Sequence, residues 1–187
     1  MVTLTKGQKV SLKKEAPGLK KILVGLGWDP AITLFGADID IDASVICIDK
    51  NGKRDNIIYY GKLTGYSHAV EHYGDNLTGE GDGDDEQIEI ALTELPKKVE
   101  RLSIIINIYS AFSRKQHFGK VKNCFVHVTD MNTGKELVRY NVNGDYNKMT
   151  GIFVADIYRA DNGWTFEALG EGCRVKNIED MVRIKCE

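Results

Sequence analysis

The sequence predicts an all-β fold: a two-sheet β-sandwich with short helical segments, one domain over residues 1–187. Three observations carry that reading. Apolar residues recur with a period of two or in short unbroken runs. Gly, Asn and Asp interrupt them every ten residues or so, and no helical periodicity lasts longer than about three turns. With 42% hydrophobic and 28% charged side chains in 187 residues, one chain can bury a continuous core without staples.

Taken in order, strands are expected at residues 8–12, 20–25, 37–48, 56–61, 87–92, 101–109, 123–129, 136–142, 151–158 and 164–169, enough for two sheets. Asp49-Lys50-Asn51-Gly52-Lys53 and Asp130-Met131-Asn132-Thr133-Gly134-Lys135 join neighbouring strands with Asn, Asp and Gly, the residues of hairpin turns. Pro17, Pro30 and Pro96 fall at strand boundaries, where a missing N–H costs least. Residues 177–184 can close the chain as a short helix.

Composition excludes several functions. The first residues, Met1-Val2-Thr3-Leu4-Thr5-Lys6, lack an apolar export core, and Asn107 interrupts the apolar run from Ile104 to Ile108. No transmembrane segment is expected, and the cytoplasm is the expected compartment. Cys47, Cys124, Cys173 and Cys186 show no metal-binding spacing; Cys47 and Cys124 lie in apolar runs and read as buried thiols. A pI near 6.1 with scattered basic pairs argues against nucleic acid.

Charge is concentrated in one place. Residues 74–86, GDNLTGEGDGDDE, hold six carboxylates, four glycines and no cation. Without those six acids, 25 Lys and Arg face 21 carboxylates, leaving the rest of the chain at +4. Neighbouring like charges repel by roughly 0.5–1 kcal/mol per pair even in water, and a divalent cation reverses that sign. Calcium takes six to eight hard oxygens, which acidic side chains and Gly-freed carbonyls supply. An EF-hand is excluded, because Leu77, Gly79 and Glu80 stand at three of its key positions and no helix pattern flanks the loop.

Three further motifs stand out. Alternation in Asp38-Ile39-Asp40-Ile41-Asp42 puts three carboxylates on one strand face and two isoleucines on the other, spaced to share a cation with a neighbouring loop or to form a solvated face. His68-Ala69-Val70-Glu71-His72 spells the inverted zinc-protease pattern, but Gly65 and Gly74 bracket too short a stretch for the required helix, so a strand or loop is expected. The basic stretch from Arg114 to Lys122 reads as a solvated connection or a counterweight to the acids, with anion binding as the other option.

Together these blocks closely resemble the TerD family of tellurium-resistance and general-stress proteins, which has cyclic-AMP-binding relatives. The matching residues are Gly27-Trp28-Asp29 with Asp38 to Ser44; the loop; Arg114 to Val121 with Asn123; and Ile157-Tyr158-Arg159 with Gly163 to Phe166 and Gly170-Glu171-Gly172. The match covers about residues 25–172, and the tail 173–187 departs from the family pattern. The resemblance implies a β-sandwich holding calcium, two ions, through the loop and the DxDxD strand. Asp38, Asp40 and Asp42 match the strand acids; Asp75, Asn76, Glu80, Asp82, Asp84, Asp85 and Glu86 match the loop, with Gly79 and Gly81 offering carbonyls. It also implies a non-enzymatic stress or tellurite-resistance role, exercised with other Ter-family proteins at the membrane surface. Two other functions remain open: a binder of a cyclic nucleotide or oxyanion through metal or the basic loop, and a zinc hydrolase built on residues 68–72.

Overall fold

In the computed structural model, which describes residues 1–29, 39–74, 83–161 and 163–186, the chain forms two packed sheets. In chain order the elements are β1 (Val2–Leu4), β2 (Lys9–Ser11), α1 (Leu12–Glu15), β3 (Lys21–Asp29), β4 (Ile41–Asp49), β5 (Arg54–Ile58), β6 (Thr64–Gly65), β7 (Val70–His72), β8 (Glu86–Ala91), β9 (Val99–Ile108), α2 (Ala111–Arg114), β10 (Lys122–Asp130), β11 (Lys135–Asn141), β12 (Gly151–Ala160), β13 (Gly163–Cys173) and α3 (Ile178–Cys186). One sheet runs β1-β11-β10-β3-β8-β7-β6 and the other β2-β13-β12-β9-β4-β5. Pairing is antiparallel except where β1 lies parallel to β11.

Period-two alternation builds the core. Ile22, Val24 and Leu26 of β3, Ile41, Ala43 and Val45 of β4, Ile88 and Ile90 of β8, and Leu102, Ile104 and Ile106 of β9 meet between the sheets. The expected turns form: Asp49 bonds the backbone N–H groups of Asn51 and Lys53, and Asp130 bonds that of Asn132. The sequence pattern misses β1 and β6 and leaves residues 70–72, which form β7, as strand or loop; all three are only two or three residues long. They exist because a neighbouring strand offers a ladder, not because their own pattern demands one.

The tail is part of the sandwich. A second apolar cluster forms on the outer face of the six-stranded sheet, where Ile46, Ile48, Ile105 and Phe153 meet Val175 and, from α3, Met181 and Val182. Fully burying each helix side chain contributes about 1.5–3 kcal/mol. Near the end of α3, Asp156 of β12 is 1% exposed and accepts from Arg101 Nη1 at 2.5 Å and Lys185 Nζ at 3.0 Å. Cys47 and Cys124 are buried, and burial pushes both thiols up to about 12.

Candidate metal site at the edge of the sandwich

The candidate site begins at an unfinished strand edge. On one side β4 pairs with β9 along its whole length, but on the other β5 reaches only as far as Val45. Ala43 therefore presents its N–H and C=O to the interior with no ladder partner, which is costly unless side chains substitute. Glu86 and His72 do so. Glu86 Oε2 accepts from Ala43 N–H at 2.6 Å, and His72 Nε2 lies 3.1 Å from Ala43 C=O. Both side chains are fully buried, with His72 Nε2 3.3 Å from Glu86 Oε2.

His72 Nδ1 also accepts from Gly74 N–H at 3.1 Å. With Nδ1 accepting, the hydrogen-bond pattern assigns the ring proton to Nε2, where it is donated to Ala43 C=O. Both ends of the acidic loop, Gly74 through His72 and Glu86 directly, are thus fastened to one residue of β4. That residue directly follows Asp42.

The strand acids alternate as expected. Ile39 and Ile41 enter the core, while Asp40 and Asp42 point to the opposite face, yet they are buried at 7% and 3% exposure. What covers them replaces the expected solvent. Asn107, opposite Asp42 in register, donates Nδ2 to Asp42 Oδ2 at 3.0 Å. Arg114 Nη1 lies 3.5 Å from Asp40 Oδ2 and its guanidinium stacks over Tyr109. The first residue of the basic stretch is thus a counter-charge to a strand acid.

The three acids that end the loop diverge. Asp84 lies on the outer face of the seven-stranded sheet, where it accepts from His127 Nε2 at 2.7 Å and Gln87 Nε2 at 3.0 Å. Gly25 of β3 makes room for this pair, since a Cβ there would collide with Asp84 Oδ2 and His127 Nε2. Burial works to raise the Asp84 carboxyl, but the His127 and Gln87 hydrogen bonds and the charges of His127 and Arg139 outweigh it and hold the group below its ordinary value. Asp85 accepts from Trp28 N–H at 2.8 Å; burial raises its carboxyl, assisted by Asp84 and Asp29 and opposed by the Trp28 N–H. Glu86 turns inward to Ala43. Alternation along β8 produces this divergence, because Glu86, Ile88 and Ile90 all face the core.

Of the residues singled out by the sequence, Asp38, Asp75, Asn76, Gly79, Glu80, Gly81 and Asp82 lie outside the described residues. Among the described residues, no group of three or more His, Cys, Asp or Glu side chains gathers in a way that could hold a metal by itself. The HxxEH string does not form a helical pair. Tyr66, Ser67 and His68 form a left-handed turn, His68 is exposed beside Glu71, and His72 is buried with both ring nitrogens engaged. Sequence reasoning missed His72 as an anchor and His127 as the partner of Asp84. The available signals were the Val70–His72 alternation and the paired outward glycines, Gly25 and Gly27, opposite His127 and Phe125.

The TerD domain family matches residues 1–183. The chain is 41% identical over 194 residues to the stress response protein SCP2 of Bacillus subtilis (strain 168), covering 97% of both chains. It is 44% identical over 189 residues to the tellurium resistance protein TerZ of Serratia marcescens, covering 97% of this chain and 95% of that one. The crystal structure of a homologue of a telluride resistance protein from Streptomyces coelicolor A3(2) superposes with a TM-score of 0.71 at 21% identity, covering 87% of this chain and 95% of that one, a likeness of fold. No helix among the described residues is long and apolar enough to cross a membrane. The chain therefore belongs to the TerD family of tellurium-resistance and general-stress proteins.

Proposed function

We propose that this protein binds calcium where the acidic loop meets β4, and that binding orders a surface for a partner rather than catalysing a reaction. The observation that carries this reading is the double fastening at Ala43, which brings both ends of the loop beside Asp42. The described donors fit the ion. Asp40 and Asp42 are hard oxygen ligands on one face, and Asn107 Oδ1 next to them is buried with no hydrogen-bond partner among the described residues, an orphaned acceptor of the kind calcium takes. In this reading they share the ion or ions with acids of the loop interior. Asp84 serves the sheet through His127, and Glu86 positions the loop.

The cytoplasm is the proposed compartment and other Ter-family proteins, at the membrane surface, the proposed partners; the names of the relatives support the stress and resistance setting. Calorimetric titration of chelator-treated protein tests the calcium step. At 100 times its dissociation constant the ion should add about 2.7 kcal/mol of stability, which is roughly 5–10 °C in melting midpoint for a domain of this size. Asp42→Asn should lose most of that shift. No heat and no shift at millimolar calcium would refute the proposal.

A further inference from the structure

A cationic cavity lies beside α2, the helix whose Arg114 faces Asp40. Its walls come from three separate segments: Ala111, Phe112, Lys115 and His117 around α2, Lys148 and Thr150 before β12, and Arg174 after β13. Its volume is about 230 Å³. Among the described residues, no carboxylate lines it, and Lys115, Lys148 and Arg174 make no ion pair. Three cations around one small space repel one another, which an anion relieves.

The frame is rigid although the side chains reach solvent. Phe118 N–H donates to Met149 C=O at 2.8 Å, joining the first segment to the second. Thr150 N–H donates to Cys173 C=O at 2.9 Å, and the Thr150 hydroxyl both donates to Val175 C=O at 2.6 Å and accepts from Val175 N–H at 2.8 Å, joining the second to the third. Arg174 is steadied over the Phe112 ring, 5.3 Å from its centroid. Two lining residues, Lys115 at φ +53° and Lys148 at φ +64°, hold left-handed backbone without being glycine. Such strain collects at functional sites. His117 Nδ1 is buried there with no hydrogen-bond partner among the described residues.

We infer that this cavity is a binding site for a phosphate group, held by Lys115, Lys148 and Arg174. A guanidinium and two ammonium groups match the charge and oxygens of phosphate. The volume falls below the roughly 300–1,000 Å³ of sites that enclose drug-sized ligands, so the cavity has room for the phosphate group while any organic remainder stays outside. The site needs no metal and is independent of the calcium reading.

The test is a titration of the full chain with inorganic phosphate in the presence of a chelator, followed by amide NMR shifts. Saturable shifts centred on Phe112, Lys115, Lys148 and Arg174 are expected. Lys148→Ala and Arg174→Ala should each weaken binding about tenfold or more, the size expected for a lost charge-assisted hydrogen bond. Lys97→Ala with Lys98→Ala, exposed cations before β9 of which Lys98 bonds Asp55, should leave it unchanged. Non-saturable shifts, or equal weakening by both sets of variants, would overturn the site in favour of diffuse charge attraction. Cyclic AMP binding at these residues far more tightly than phosphate would overturn the small-anion assignment. Calcium calorimetry on Arg174→Ala should match the wild type, so either proposal can fail alone.

Discussion

Replacing Glu86 by alanine tests the double fastening directly. The carboxylate is the acceptor for Ala43 N–H at 2.6 Å, and β5 does not extend far enough to replace it. Truncation leaves a buried donor with no partner, which costs about 1–3 kcal/mol. Taking about 2 kcal/mol, and 2–4 °C per kcal/mol for a domain of this length, the melting midpoint should fall by roughly 4–8 °C. The assay is thermal unfolding followed by circular dichroism in chelator, so that metal binding cannot contribute. Glu86→Gln keeps an acceptor oxygen and should lose less. Hydrogen exchange supplies the local readout, with the Ala43 amide losing protection in Glu86→Ala. If that variant keeps both the midpoint and the Ala43 protection of the wild type, the side chain is not what completes the edge of β4.

Other perturbations have equally definite outcomes. Gly25→Ala pushes a methyl into the Asp84–His127 pair and should destabilise by about 1–3 kcal/mol, the usual cost of overpacking, seen as a lower denaturant midpoint with an unchanged slope. The folded Asp84 carboxyl lies below its ordinary 3.8, so its contribution is present above that value and is lost as pH falls through the lower folded value. Asp84→Asn should therefore be less stable than wild type at neutral pH and converge with it in acid. Parallel curves would refute that role. Asp156→Ala strands Lys185 and releases Arg101; because Arg101 is half-exposed, the cost should be about 2 kcal/mol, below that of a fully buried pair. Faster amide exchange across α3 should accompany it.

The sandwich was legible because its longer strands state their own alternation. Ile22-Val24-Leu26 and Leu102-Ile104-Ile106 need only period two to declare which face is buried. The DxDxD face was legible for the same reason, but its burial was not, since Asn107 and Arg114 come from residues 65 and 74 positions away. Divergence of Asp84, Asp85 and Glu86 was equally hidden. Composition counts acids in a string, whereas a strand sends successive side chains to opposite sides. The tail looked foreign to the sheet because its apolar residues are few. Met181 and Val182 have partners only because Ile46, Ile105 and Phe153 make the outer face of β4, β9 and β12 apolar.

The meeting of both loop ends at Ala43 has a thermodynamic corollary. A free chain must lose conformational entropy to bring two ends together, roughly 2 kcal/mol for the eleven residues between Gly74 and Glu86 on the logarithmic scale of loop closure. Here folding has already closed that ring, so a cation arriving at the loop meets only the cost of arranging its ligands. Severing one tether to Ala43, through His72 or Glu86, leaves that ring closed, because β7 and β8 still pair at its base and Tyr73 N–H still donates to Gln87 C=O at 3.0 Å; calcium affinity should then fall by well under the roughly thirtyfold that opening the ring would cost.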